Sequence, residues 1–95
     1  MIVQVSEKGV CRLADAEVFG SFKAEVAELA RRSERPVCGV WDEDGTHLWV
    51  DAAWLRAQGP SSLDWSAKLD QMLAYADGKR WLDTEGRVRA HVERV

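Results

Sequence analysis

The sequence predicts an α+β fold in which three β-hairpins form a mostly antiparallel sheet, with two main helices and one short helix in the order ββ-α-ββ-α-α-ββ. Two observations support this prediction. Three glycine-containing turns of one pattern lie between stretches of alternating apolar residues, and apolar residues at helical spacing occur between the hairpins. The chain has 95 residues, of which 46% are hydrophobic and 31% charged. This composition predicts one folded domain, over residues 1–95, with one core.

The three turns share a polar residue, two variable residues, a glycine and a strand residue. They are Ser6–Val10 (SEKGV), Asp42–Thr46 (DEDGT) and Asp83–Arg87 (DTEGR). This pattern is typical of a three-residue loop that ends in a left-handed glycine. Because the loop length sets which residues pair, each turn predicts the register of its hairpin.

In the middle hairpin, this register places Trp41 opposite His47 and Gly39 opposite Trp49. One face of the hairpin is then aromatic. The other face is aliphatic and is predicted to point to the core, with Cys38, Val40, Leu48 and Val50.

The same rule applied to the last hairpin places Trp81 opposite Arg89 and Leu82 opposite Val88. His91 lies on the same face as Trp81 and Arg89, because side chains alternate along a strand. In the first hairpin, the residues predicted to face the core are Val3, Val5, Cys11 and Leu13.

The first helix is predicted to begin after Asp15, which can cap its N-terminus, and to end near Arg32. Its apolar residues recur every three or four positions, at Phe19, Phe22, Val26 and Leu29.

After the middle hairpin, Asp51 is predicted to cap a short helix that stops at Gly59. Ser61 and Asp64 then resemble a capping box for the last helix, which is predicted to end at a left-handed Gly78. The apolar face of this helix carries Trp65, Leu69, Met72, Leu73 and Ala76.

If the middle and last hairpins share one sheet, their polar and aromatic side chains form one surface. Tryptophan is enriched where proteins contact partners, and arginine and histidine add hydrogen-bond donors. The sequence therefore predicts a non-catalytic module that binds a protein partner or a small planar or anionic ligand. Its binding residues are Trp41, His47, Trp49, Trp81, Arg89 and His91.

Three alternatives remain for this surface. A helix or loop of the chain covers the tryptophans, or partial cover leaves a functional cleft, or the surface forms a homodimer. Pairing of an open C-terminal strand with a second copy is another route to a dimer.

The alternative function is a small enzyme in which His47 or His91 acts as general acid or base. No HExxH, GxSxG or phosphate-binding loop occurs in the sequence. The acidic residues 42–44 fit turn chemistry better than a calcium loop. We therefore predict no metal and no cofactor.

The two cysteines, Cys11 and Cys38, form no CxxC pair. They are predicted to be free thiols on core faces, where burial makes a thiol inert. No secretory signal or membrane span is visible, so a cytoplasmic location is expected. The net charge of −3 argues against nucleic acid as a partner.

Overall fold

The computed structural model describes residues 1–30 and 35–95. In this part of the chain, six strands and two helices follow one another. They are β1 (Ile2–Val5), β2 (Cys11–Ala14), β3 (Lys23–Val26), β4 (Gly39–Trp41), β5 (His47–Asp51), α1 (Ala52–Gln58), α2 (Leu63–Gly78) and β6 (Arg87–Arg94).

The strands form one mixed sheet in the order β2-β1-β3-β6-β5-β4. Strand β1 pairs with β2, and β5 with β4 and β6, in antiparallel fashion. Strand β3 runs parallel to both of its neighbours, β1 and β6. The α+β class is therefore confirmed, whereas the mostly antiparallel sheet of three hairpins is wrong. Since β6 lies inside the sheet, the C-terminal strand offers no open edge to a second copy.

Strand β3 replaces part of the first predicted helix. Phe22, Ala24 and Val26 alternate with charged residues, and this period of two overlaps the helical spacing that we used. Ala24 and Val26 are fully buried. Asp15 has a left-handed backbone, with φ of 50°, so it forms a turn instead of capping a helix. The expected helix end at Arg32 lies outside the described residues.

The glycines of all three turns are left-handed as predicted, with φ of 80° at Gly9, 73° at Gly45 and 76° at Gly86. The first turn is the expected three-residue loop, because the Ser6 N–H donates to the Val10 carbonyl at 2.9 Å. Its register is also as predicted.

The last hairpin has the predicted register, but its first half is not a strand. Leu82 and Val88 form an isolated bridge. The Arg89 N–H donates to the Trp81 carbonyl at 2.8 Å, so this pair lies where we expected it.

The middle hairpin is shifted by one residue from the predicted register. The Asp42 N–H donates to the His47 carbonyl at 3.0 Å, which makes a four-residue loop. Thr46 is the extra loop residue. Its N–H and hydroxyl donate to the Asp44 carboxylate at 3.1 and 2.7 Å, and its carbonyl accepts from the Val92 N–H of β6 at 3.0 Å.

A shift of one residue turns every side chain of a strand to the other face. Trp41 is therefore opposite Leu48, and Val40 is opposite Trp49. Trp41 packs against the core, which contradicts its predicted place on the outer aromatic face.

Both remaining helices were predicted, with small differences at their ends. Asp51 is at the N-cap position of α1, but its side chain makes no capping hydrogen bond there. Helix α1 stops at Gly59 as expected. The N-cap of α2 is Ser62, one residue after the predicted Ser61, and its hydroxyl accepts from the Trp65 N–H at 3.1 Å. The left-handed residue after α2 is Arg80, with φ of 64°. Neither α1 nor α2, the helices of the described ranges, is long and apolar enough to cross a membrane.

The core lies between the inner face of the sheet and these two helices. Leu55 of α1 and Leu69 of α2 are fully buried against it. Trp65 is 4% exposed and donates its indole N–H to the Ala16 carbonyl at 2.8 Å, so this buried polar group has a partner. The side chains of Arg89 and His91 lie on the outer face, because Val88 and Ala90 of the same strand fill the core.

Candidate functional site

A groove of about 270 Å³ lies beside the central strand β6. One side of β6 pairs with β5, and its other side has two different neighbours. Strand β3 pairs with β6 from His91 onward, whereas Leu82 bridges Val88 further down. The groove is located between these two pairings, so it is built by a gap in the sheet.

Trp81, Arg89 and His91 of the predicted binding set line the groove. Tyr75 of α2 lies against Trp81 in an edge-on contact, with ring centroids 6.1 Å apart. The Lys79 ammonium lies 5.7 Å from the centre of the Tyr75 ring. Trp81 is 40% exposed. The groove thus has an aromatic wall, and a cation lies over one of the rings of that wall, Tyr75.

Arg89 connects the groove to the middle hairpin. Its Nη2 lies 3.2 Å from Nδ1 of His47 and 3.9 Å from a carboxylate oxygen of Asp42. Since arginine only donates hydrogen bonds, Nδ1 of His47 is the acceptor. The Nε–H of Arg89 is buried and has no hydrogen-bond partner within residues 1–30 and 35–95. A buried donor without a partner is costly, and an acceptor on a ligand would remove that cost.

The two histidines pack edge-on, with ring centroids 5.6 Å apart. Nδ1 of His47 also contacts the Thr46 hydroxyl at 2.9 Å. The nearest oxygen of Asp42 is 3.8 Å from it, beyond hydrogen-bond distance. His91 is exposed and faces the groove.

The structure brings four of the six predicted residues together, namely His47, Trp81, Arg89 and His91. Trp49 is half-buried on β5 and is the strand partner of Arg89. Trp41 is separate from this group, because the shifted register turns it to the core side. There the guanidinium of Arg94 lies 5.4 Å from the centre of its ring.

Several groove residues were missed in the sequence. Phe19 and Phe22 line the groove, whereas the helical spacing predicts both on the core face of a helix that does not form. Met72 and Tyr75 lie on the face of α2 toward the groove. Tyr75 is 62% exposed, and the only signal in the sequence was an aromatic residue beside the predicted apolar face of the last helix.

Asp42, Asp44 and His47 each offer one ligand atom, and these atoms lie within 4.8 Å of one another. Turn chemistry accounts for this group. The Asp44 carboxylate accepts two hydrogen bonds from Thr46, which also lower its pKa. Nδ1 of His47 is already in contact with Thr46 and Arg89. We assign no metal to it.

No family model matches the sequence. A search of curated proteins and a search of solved structures also give no match.

Proposed function

We propose that the chain is a non-catalytic binding module that holds a small planar anion in the groove beside β6. The observation that carries the proposal is Arg89, which lines an aromatic groove and whose buried Nε–H has no hydrogen-bond partner in the described part of the chain. Two features of the groove support it: its shape and its charge.

The shape of the groove favours a flat ligand. Trp81, Tyr75, Phe19 and Phe22 present aromatic rings to it. Aromatic rings pack well on one another in offset or edge-on geometry. A volume of about 270 Å³ is near the lower limit of about 300 Å³ for sites of small molecules, so a ligand with one or two rings fits best.

The charge of the groove favours an anion. Arg89 is a permanent cation with an unsatisfied donor, and a guanidinium can bind a carboxylate through two parallel hydrogen bonds. Lys79 adds a second positive charge near Tyr75. Asp42 lies 3.9 Å from Nη2 of Arg89 and offsets part of this charge, so the attraction is local rather than long-ranged.

Acid–base catalysis by His47 or His91 has weaker support. A general base is usually oriented by a carboxylate within hydrogen-bond reach. In the described part of the chain, neither histidine has one, since Asp42 is 3.8 Å from Nδ1 of His47. This favours binding without a reaction.

The proposal is tested by titrating ¹⁵N-labelled protein with benzoate and following amide and indole N–H signals by NMR. We expect shifts at Trp81, Tyr75 and His91, and weaker or no shifts with benzylamine, which has the ring and the opposite charge. A hydrogen bond to a charged group contributes about 1.5–3 kcal/mol, so Arg89→Gln should weaken benzoate binding by about tenfold or more.

The matched control is Arg12→Gln, which removes the same charge from the exposed side of β2. It should leave benzoate binding unchanged. Equal losses in both variants, or shifts that avoid the groove, would contradict the proposal. A short peptide ending in phenylalanine carries a ring and a terminal carboxylate together. Much tighter binding of that peptide would indicate that the groove binds a protein partner and not a small ligand.

A further inference from the structure

Cys11 and Cys38 meet although they belong to opposite ends of the sheet order. Cys11 begins β2, which is one edge strand, and Cys38 directly precedes β4, which is the other. Their sulfur atoms are 2.9 Å apart, and both are free thiols. The sheet therefore curls until its two edges approach each other at this pair.

Backbone contacts fix the approach. The Val37 N–H donates to the Gly9 carbonyl at 3.0 Å and joins the β1–β2 turn to the segment before β4. A Cβ atom at Gly9 would lie 3.2 Å from the Arg35 carbonyl oxygen, so the two segments are in close contact. The Asp51 N–H donates to the Cys38 carbonyl at 2.7 Å and holds Cys38 on the β5 side. The two sulfurs are thus positioned by the fold rather than by side-chain rotation alone.

The surroundings make the two thiols unequal. The side-chain hydrogen bond between Cys11 and Cys38 lowers the pKa of Cys11 to about 7, against an opposing effect of burial, and the backbone N–H groups of Cys38 and Val37 lower it further. The pKa of Cys38 is raised by the same contact with Cys11 and by burial. The expectation that burial makes both thiols inert assumes full burial, and Cys11 is only half-buried. Cys38 is fully buried, and its raised pKa favours the protonated thiol.

We propose that Cys11 and Cys38 are a reversible redox pair, which hydrogen peroxide converts to an intramolecular disulfide that joins the two edges of the sheet. The thiolate of Cys11 attacks one peroxide oxygen, the O–O bond breaks, and hydroxide leaves. Cys11 is now a sulfenic acid. The Cys38 thiol gives its proton to that hydroxide, and its sulfur attacks the Cys11 sulfur. The S–O bond breaks, and the oxygen leaves as water after taking a proton from solvent, which replaces the one lost when Cys11 ionised. In total, two thiols and one peroxide give one disulfide and two water molecules.

The geometry suits this step. A disulfide has an S–S bond of about 2.05 Å, so sulfurs at 2.9 Å need to approach by only roughly 0.9 Å. A resolving thiol at this distance captures a sulfenic acid before further oxidation.

The experiment exposes the native chain to a small excess of hydrogen peroxide at neutral pH. The protein is then unfolded in the presence of an alkylating reagent and weighed by mass spectrometry. We expect the loss of two hydrogens, no alkylation, a monomeric band on a non-reducing gel, and full reversal by dithiothreitol. The native chain should react at least about fivefold faster than the chain in urea, because a lower pKa raises the thiolate fraction more than it lowers nucleophilicity. Thiols that remain open to alkylation, or disulfides formed only between chains, would overturn the proposal.

Two variants separate the roles of the cysteines, and circular dichroism shows whether each one folds. In Cys38→Ser, Cys11 should stop at sulfenic acid, which dimedone traps. In Cys11→Ser, Cys38 should stay unreactive until the chain unfolds. Equal reactivity of the two thiols in the native single variants would contradict the assignment of Cys11 as nucleophile. The rate comparison in urea needs only the natural sequence, so it decides the matter even if a variant fails to fold.

Discussion

The substitution Gly39→Ala tests the register of the middle hairpin. In the structure, Gly39 is opposite Val50, and a Cβ atom at Gly39 would overlap the carbonyl oxygen of Trp49 and lie 2.8 Å from its carbon. In the register that the turn pattern predicted, Gly39 is opposite Trp49 and its Cβ points away from the core. The two registers therefore give opposite expectations for one methyl group.

The magnitude follows from the contact. The overlapping atoms are backbone atoms of β5, a strand paired on both sides, so they cannot move aside without disturbing two ladders. Overpacking of this kind costs about 1–3 kcal/mol, and occasionally more. Replacing glycine by alanine restricts the unfolded chain, which raises the free energy of unfolding by about 0.4–1 kcal/mol. Because the Cβ would overlap a backbone oxygen, the upper end of the first range applies, and we expect a net loss of about 2 kcal/mol in the free energy of unfolding, which lowers Tm by roughly 10 °C in a domain of this size.

Urea and thermal unfolding, followed by tryptophan fluorescence and circular dichroism, measure this loss. The control is Gly78→Ala at the end of α2, where a Cβ would have no neighbour within 4 Å. Alanine there should stabilise the protein by about 0.5–1 kcal/mol, because glycine is unfavourable in a helix. If Gly39→Ala is as stable as the natural sequence while the control behaves as expected, the shifted register is refuted.

Three further predictions concern the core, the groove and the thiols. Gly59→Ala should cost about 1–3 kcal/mol, since its Cβ would overlap the ring of Trp65, which is held in place by its own hydrogen bond; denaturant unfolding measures it. Trp65→Ala should cost about 3–5 kcal/mol, whereas Trp81→Ala, at an exposed wall of the groove, should cost about 1 kcal/mol or less; similar losses for both would show that Trp81 belongs to the core. The pKa of Cys11 in the folded protein, about 7, lies below its ordinary value of 9.0, so the folded state releases the proton first. Reduced protein should therefore become more stable as pH rises from about 7 to about 9 and lose this gain as pH falls through 7; urea midpoints across this range should show the slope, and Cys11→Ser should remove it.

Local sequence patterns predicted the left-handed glycines of all three turns and the register of two hairpins, but they predicted the pairing between distant segments poorly. The left-handed glycines, the helix that stops at Gly59 and the apolar face of α2 each depend on neighbours within a few residues. The residues after Asp15 carry two overlapping periods, and the tertiary context selects the strand because β1 and β6 both need a partner there. Helical spacing alone does not show whether the segment forms a helix or a strand, which is why Phe19 and Phe22 were assigned to the wrong element.

The shifted hairpin shows how one side-chain hydrogen bond changes a predicted surface. Asp44 can bond to its own backbone two residues on, a property that favours turns, and here it holds the Thr46 N–H out of the ladder. The Thr46 carbonyl therefore does not bond within the hairpin and accepts a hydrogen bond from β6 instead. One side-chain hydrogen bond in the turn thus changes the register of the hairpin and moves Trp41 from the outer face to the core. Arg89 and Trp81 kept their predicted places because the turn after Asp83 has the predicted three-residue loop, with Asp83 N–H donating to the Arg87 carbonyl at 2.9 Å. The groove itself could not be foreseen, since it exists only because two segments far apart in the chain share one side of β6.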